Sequence, residues 1–359
     1  MPPTGSQPET SGRHTVTAPF TTTATSTPSR PSVGSPFVCT VSTLYHTFVL
    51  RPLDGVCSVL FYDSLYKEKA SKLPVEKNSK AEHFLQLTAH MTQTKIGMSF
   101  KVEYSDLEHE YETRAFDAGL DQLLRQNISH VGILNASLNY TRTGNITLAL
   151  KVLKKIDIYL KTKDANRRVF TSLGIIPDNP FFRLYGDLML QIFIPDVFVA
   201  IGHISFPDNE LHNCRIMPPT ISQLPPSFHL PYGYTLNDSI DLLRQIARVT
   251  SYSYLALSFD LPARLYYYIY DTAMTSTGTG GAGPFTPCNM SQYQQSRSPA
   301  SMCPSSGNRD WDNYRYNNDL HVSLTYNPKE KQTLTFDSER ALRAKVCETK
   351  ENALTVTYG

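Results

Sequence analysis

The stretch ALKVLKKIDIYLKTKDANRRVFTSLGII (149–176) contains one complete step from helix to strand. Val152, Ile156 and Leu160 share one face at helical spacing and lysines fill the other faces, so its first part is predicted to be an amphipathic helix. RVFTSLGII (168–176) follows as a nearly continuous apolar run, which is typical of a strand covered on both faces of a parallel sheet. The stretch therefore predicts a helix packed against a parallel sheet.

The same alternation extends in both directions along the chain. β-branched and aromatic runs predict further strands at 37–43, 56–62, 95–102, 131–134, 197–204, 254–259 and 353–358. Apolar spacing and capping residues predict further helices at 117–126, at 181–192, from Asn237 or Asp238, and from near Ser338. About eight strands with intervening helices predict an α/β fold, namely a closed (β/α)8 TIM barrel, with a doubly wound sheet as the alternative. No glycine-rich phosphate loop follows the first strand, so no nucleotide site or other cofactor is expected.

Two segments depart from this alternation. Residues 1–36 are almost entirely Ser, Thr, Pro and Gly, a composition that cannot bury enough apolar surface to fold. They are predicted to be a disordered leader or an O-glycosylated stalk. Residues 266–335 are rich in Tyr, Ser, Gly and Asn and are predicted to be an insertion within a single barrel domain that spans 37–359.

Charge and hydropathy exclude two classes of partner. The net charge of +2 is spread without clusters, whereas a nucleic-acid-binding protein needs a basic patch. No apolar run approaches the about 18 residues of a transmembrane helix, and no apolar segment follows Met1 as in a signal peptide. We expect a soluble segment, either secreted or the ectodomain of a longer membrane-anchored precursor.

Cysteines and glycosylation sequons favour the extracellular space. The six cysteines have no metal-site spacing, so they suit three disulfides of undetermined connectivity better than six free thiols of a cytosolic protein. Asn-x-Ser/Thr sequons begin at Asn127, Asn135, Asn139, Asn145, Asn237 and Asn289. Asn135 and Asn139 fall on an apolar run, so glycosylation is expected at the other four.

Several stretches resemble glycoside hydrolase family 18, the chitinases and chitinase-like lectins. FVCTVSTLYHTF (37–48) resembles the opening strand of the family, VFVAIGHISFPD (197–208) the sixth strand and SYLALSFDLPARLYY (253–267) the seventh. WDNYRYNNDLHVSLTYNPKEKQTLTFDSERALRAKV (311–346) resembles the return from its α+β insertion into the last helix. The resemblance spans 36–359 and implies a (β/α)8 TIM barrel with an α+β-type insertion between strands 7 and 8.

The resemblance also implies particular site residues. Tyr62, His203 and Arg264 fall at family positions near the carboxyl ends of strands, and we expect them to line a carbohydrate-binding cleft. The family pairs a cysteine of its first strand with one at the start of the second, which implies a Cys39–Cys57 disulfide.

Two further disulfides are expected on other grounds. Proximity in the sequence favours Cys288–Cys303, which leaves Cys214–Cys347 as the third pair.

The family's catalytic acid is missing. Its Asp-x-x-Asp-x-Asp-x-Glu motif corresponds to HVGILNASLNYT (130–141), in which Asn135, Ser137 and Asn139 are polar but cannot act as acids. No catalytic or metal-binding residue is therefore assigned. The sequence predicts a non-catalytic, extracellular chitinase-like protein that binds a chitin-type glycan or another protein. The alternative is an active family 18 hydrolase with a relocated acid. An aromatic-lined cleft would favour a sugar ligand, and a filled barrel mouth would favour a protein.

Overall fold

Seven parallel strands form a curved sheet whose strand order follows the chain. They are β1 (Val38–Val41), β2 (Val59–Leu65), β3 (Lys95–Phe100), β4 (His130–Ala136), β5 (Phe170–Ile175), β6 (Val197–Ala200) and β7 (Tyr254–Leu257). This computed structural model describes residues 37–41, 54–67, 71–102, 105–128, 130–136, 144–163, 170–177, 179–203, 214–225, 235–250, 253–261, 263–269, 282–289, 295–297, 311 and 314–354. All of them belong to one compact unit, Pro36–Gly359.

Helices connect the strands and cover the outside of the sheet. They are α1 (Lys80–Thr88), α2 (Ser105–Glu110), α3 (Arg114–Arg125), α4 (Gly144–Lys163), α5 (Phe182–Gln191), α6 (Leu236–Val249) and α7 (Glu339–Leu354). α6 begins at a capping box in which the Thr235 side chain accepts from the Asp238 N–H and the Asp238 carboxylate accepts from the Thr235 N–H. The predicted (β/α)8 architecture is confirmed. The strand predicted at 353–358 is wrong for its first two residues, because α7 continues to Leu354. The other residues of that prediction lie outside the described part of the chain.

Strand alternation divides the core into two layers. Leu60 and Tyr62 of β2 point outward into the large cluster between sheet and helices. Val59 and Phe61 point inward, where they pack with Leu134 of β4 inside the barrel. Phe61 fills this interior so closely that a Cβ on Gly97 would lie 2.6 Å from its ring. The barrel is thus closed below its carboxyl-terminal end by an apolar plug made of Val59, Phe61 and Leu134.

The insertion forms a second sheet of five antiparallel strands, in the order β10-β11-β12-β8-β9. These strands are β8 (Ala263–Tyr267), β9 (Gln295–Arg297), β10 (Arg315–Asn317), β11 (Val322–Asn327) and β12 (Gln332–Phe336). One face of the sheet carries Tyr266 and Tyr268, which pack against Ile216 and Met217 of the segment that follows β6. The insertion is therefore packed against the β6–α6 connection and not only joined to β7.

The disulfides agree with the sequence predictions only in part. The Cys39–Cys57 bond is confirmed. Cys288–Cys303 and Cys214–Cys347 are wrong, because Cys214 is bonded to Cys288 and Cys347 is a free, exposed cysteine on α7. Cys303 lies outside the described residues. The Cys288 N–H donates to the Cys214 carbonyl at 3.0 Å, so a backbone contact across the insertion, rather than closeness in sequence, brings this pair together.

Candidate functional site

Polar side chains face inward at the carboxyl ends of β2, β3, β6 and β7, immediately above the apolar plug. This set, here called the barrel mouth, consists of Asp63, Ser99, Lys101, His203, Ser258 and Asp260. The same alternation that turns Phe61 inward also turns Asp63 inward. The carboxyl ends of the strands are where barrel proteins place their binding and catalytic sites. The mouth is therefore the candidate functional site.

Asp63 anchors one side of the mouth. Ser99 Oγ donates to Asp63 Oδ1 at 2.7 Å and accepts from the Leu134 N–H at 3.1 Å, which links β2, β3 and β4. Lys101 Nζ lies 3.5 Å from Asp63 Oδ2. The carboxylate is thus held in place by a hydroxyl and a buried ammonium group.

His203 occupies the opposite side. Its Nδ1 lies 2.8 Å from Ser258 Oγ, which also accepts from the Gly202 N–H at 3.1 Å. Burial lowers the pKa of His203, although the nearby Asp260 carboxylate opposes this effect, so the ring is neutral at neutral pH. We assign the Ser258 hydroxyl proton to the hydrogen bond with Nδ1, which leaves the ring proton on Nε2 as a donor.

A second ion pair lies beside His203. Arg264 Nη2 is 3.2 Å from Asp260 Oδ2. The charges of Asp260, Arg264, Asp63 and Lys101 all influence the pKa of His203, so both ion pairs lie within electrostatic range of the ring. Over the described ranges, no three His, Cys, Asp or Glu side chains form a group that could hold a metal ion. Hydrogen bonds and charge are what the mouth offers to a ligand.

The three predicted cleft residues occupy three different environments. His203 lies at the mouth. Arg264 is only 2% exposed and sits behind Asp260, where it holds that carboxylate and cannot line an open cleft. Tyr62 is wrong as a cleft residue, because it points toward the helices, is 0% exposed and has its ring centroid 5.3 Å from that of Phe84 on α1.

Sequence reasoning missed the charged groups of the mouth. Asp63 carried a detectable signal, because it follows Val59 and Phe61 at a spacing of two residues and so shares their inward face. Lys101 and Asp260 lie just beyond strand ends, where periodicity no longer fixes the direction of a side chain. An isolated aspartate at such a position is indistinguishable in sequence from a solvated surface charge.

Strand pairing is irregular at two places on the rim of the mouth. The pairing register shifts between Asp63 and Leu65 of β2 and between Ile133 and Ala136 of β4. A bulge changes the direction of the side chains that follow it. On β4, the inward position at this shift belongs to Leu134, which packs into the apolar plug. In the part of β4 that the structure describes, no acid points into the barrel.

The sequons occupy several kinds of position. Asn127 follows α3 and Asn289 lies in the insertion, and both are exposed. Asn145 and Asn237 are partly exposed in the first turns of α4 and α6. Asn135 lies in β4, and Asn139 is outside the described residues. Glycosylation of the four expected asparagines stays a prediction.

Solved structures share this fold at low sequence identity. No protein-family model and no curated protein match the sequence. The class V chitinase from Nicotiana tobaccum is 11% identical, with 89% of this chain and 91% of that chain covered and a TM-score of 0.62. The chitinase-like agglutinin RobpsCRA from Robinia pseudoacacia is 12% identical, with 89% and 92% covered and a TM-score of 0.60. Human YKL-39, described as a pseudo-chitinase with retained chitooligosaccharide binding properties, is 14% identical, with 89% and 90% covered and a TM-score of 0.56.

These matches confirm, at the level of the fold, the resemblance seen in the sequence. The chain has the fold of the chitinases and chitinase-like lectins of glycoside hydrolase family 18. None of the described helices is both long enough and apolar enough to cross a bilayer.

Proposed function

We propose that this chain is a non-catalytic, extracellular chitinase-like protein that binds a chitin-type glycan at the barrel mouth. The observation that carries the proposal is the state of the mouth carboxylates. Asp63 is paired with Lys101, and Asp260 is paired with Arg264. Both acids are therefore arranged to accept hydrogen bonds.

The absence of catalysis is inferred from β4. The family that the sequence resembles places its general acid at the end of this strand, and residues 130–141 contain no Asp or Glu. General acid catalysis contributes about 10²–10⁴-fold to the rate. In the described part of the strand, the inward position belongs to the apolar Leu134.

Glycan binding is supported by what the mouth presents. Asp63 and Asp260 offer acceptors to sugar hydroxyl and amide groups, and the His203 ring offers a donor. The fold is shared with an agglutinin and with a pseudo-chitinase described as binding chitooligosaccharides. The aromatic lining expected of a sugar cleft is not found among the described mouth residues, so the glycan proposal rests on their hydrogen-bonding groups and on the shared fold.

A protein partner is the second candidate ligand. Along and just beyond β7, Tyr254 is 55% exposed, Leu255 39% and Leu261 61%. Contiguous exposed apolar patches are typical of surfaces that contact other proteins, and these three residues are the candidates to test for one.

The extracellular location is supported by the two disulfides, since such bonds persist in oxidising compartments. Both a secreted protein and the ectodomain of an anchored precursor meet this condition.

Calorimetric titration with an N-acetylglucosamine tetramer tests the proposal. We expect binding by the wild-type chain, weakened in Asp260→Asn and unchanged in Asp187→Asn, an exposed residue on α5. Circular dichroism of both variants confirms that the fold is kept. A fluorogenic chitobioside should be hydrolysed at the background rate. Turnover that disappears on changing one carboxylate would contradict the proposal and identify a relocated acid.

A further inference from the structure

In both ion pairs of the barrel mouth, the carboxylate is more exposed than its cation. The Asp63 side chain is 17% exposed and its partner Lys101 only 6%. The Asp260 side chain is 25% exposed and its partner Arg264 only 2%. The cations thus lie behind the acids, and a ligand entering the mouth meets the carboxylates first.

This layering determines which ligand charge the mouth accommodates. A carboxylate accepts about four hydrogen bonds, and the described contacts of Asp63 and Asp260 leave part of that capacity for a ligand. An acidic ligand would have to displace an aspartate to reach Lys101 or Arg264. A ligand with donor groups or a positive charge meets the accepting oxygens directly.

The remaining mouth groups do not offset this preference. The His203 ring is neutral at neutral pH and adds no positive charge. Ser99 and Ser258 are already engaged with Asp63 and His203. Partial burial of the two aspartates also strengthens an ion pair relative to open solvent, because the effective dielectric constant is lower.

We propose that, among chitin-type glycans, the barrel mouth selects amino sugars whose amine is free and protonated over fully N-acetylated sugars, and rejects uronates. This inference rests on the proposed glycan-binding function and names the ligand class of the same site. The ammonium group of a glucosamine unit makes charge-assisted hydrogen bonds to the exposed carboxylate oxygens of Asp63 or Asp260, which the neutral acetamide of an N-acetylated unit cannot make.

A comparison of three tetramers on the full wild-type chain tests the selectivity. The probes are glucosamine, N-acetylglucosamine and galacturonate tetramers, titrated by calorimetry at about pH 6, where much of the sugar amine is protonated. Because charge-assisted hydrogen bonds are stronger than neutral ones, the glucosamine tetramer should bind about five- to tenfold more tightly than the N-acetylated one. That advantage should shrink as salt is added, and the galacturonate tetramer should bind most weakly.

Variants locate the selectivity within the chain. Asp63→Asn and Asp260→Asn should each reduce the preference for the free amine, whereas Asp187→Asn on α5 should keep it. Each of the two mouth variants leaves a buried cation without its partner. If either variant fails to fold, the three tetramers titrated into the wild-type protein still decide whether the free amine is preferred.

The titrations distinguish a failure of the selectivity from a failure of the proposed function. Equal or tighter binding of the N-acetylated tetramer, or tight binding of galacturonate, overturns the selectivity and leaves glycan binding intact. No binding of any tetramer overturns the proposed function and the selectivity with it.

Discussion

Replacing the buried ammonium group of Lys345 by an isosteric apolar side chain should strongly destabilise the protein. Lys345 Nζ on α7 lies 2.5 Å from Asp337 Oδ1 and donates to the Thr220 carbonyl at 2.8 Å. Both charged side chains are 0% exposed. Breaking a buried pair by removing one partner leaves an uncompensated charge and costs about 3–5 kcal/mol, so Lys345→Met should lower the free energy of unfolding by about that amount.

The double variant separates the pair from simple packing. With Asp337→Leu added to Lys345→Met, no buried charge remains, and most of the lost stability should return, because apolar replacements of a buried pair are often neutral. Urea unfolding measures Lys345→Met, Asp337→Leu and the double variant. Arg343→Met on the same helix is the control, since its pair with Glu339 is exposed and should contribute less than about 1 kcal/mol.

The pH dependence of the single variant gives an independent check. Burial raises the pKa of Asp337, and the Lys345 charge opposes this, so removing Lys345 raises that pKa further. The folded variant then binds a proton more readily than the unfolded chain, and its penalty should shrink as pH falls toward the ordinary aspartate value of 3.8. A penalty for Lys345→Met below about 1 kcal/mol, or a double variant as unstable as the sum of the single ones, would refute this reasoning.

Three further perturbations have defined outcomes. Gly97→Ala should lower the free energy of unfolding by about 1–3 kcal/mol, because the new methyl group meets the Phe61 ring, and an added Phe61→Leu should restore part of the loss. An unchanged melting temperature for Gly97→Ala would contradict this close packing. As pH falls below the ordinary histidine pKa of 6.5, the wild-type chain should lose stability relative to His203→Asn, because the lowered pKa of His203 means that the unfolded chain takes up the proton first. Parallel pH profiles of the two proteins in urea unfolding would contradict this. Non-reducing peptide mapping should find Cys214 linked to Cys288. Replacing both cysteines by serine should lower the free energy of unfolding by about 4 kcal/mol, the value of the chain-entropy model for a sequence separation of 74 residues. A different linkage in the map would contradict the described packing of the insertion.

Much of the barrel was accessible from local sequence. The helix predicted at 181–192 is α5, and the last helix, predicted from near Ser338, begins at Glu339. Strands β3 and β6 begin at the predicted residues, Lys95 and Val197. These features depend on apolar spacing and capping within a short segment, and that information is present in the chain before it folds.

The site and the second disulfide depended on contacts that sequence spacing does not encode. Tyr62 matched a family position, yet its strand turns it toward Phe84, and the neighbouring Asp63 faces the mouth instead. Cys214 and Cys288 meet only because the insertion packs against the β6–α6 connection.

The sequence by itself determined the repeating strands and helices, the Cys39–Cys57 bond through its family resemblance, and the lack of any acid in 130–141. Only the tertiary structure decided which charges meet at the mouth and which side of each ion pair is exposed. The physical reason is that strand direction and burial set a side chain's surroundings, and the spacing of residues along the chain does not specify either of them. Asp260, an ordinary surface charge by sequence, becomes an accepting group of the site because the chain places the buried Arg264 behind it and His203 beside it.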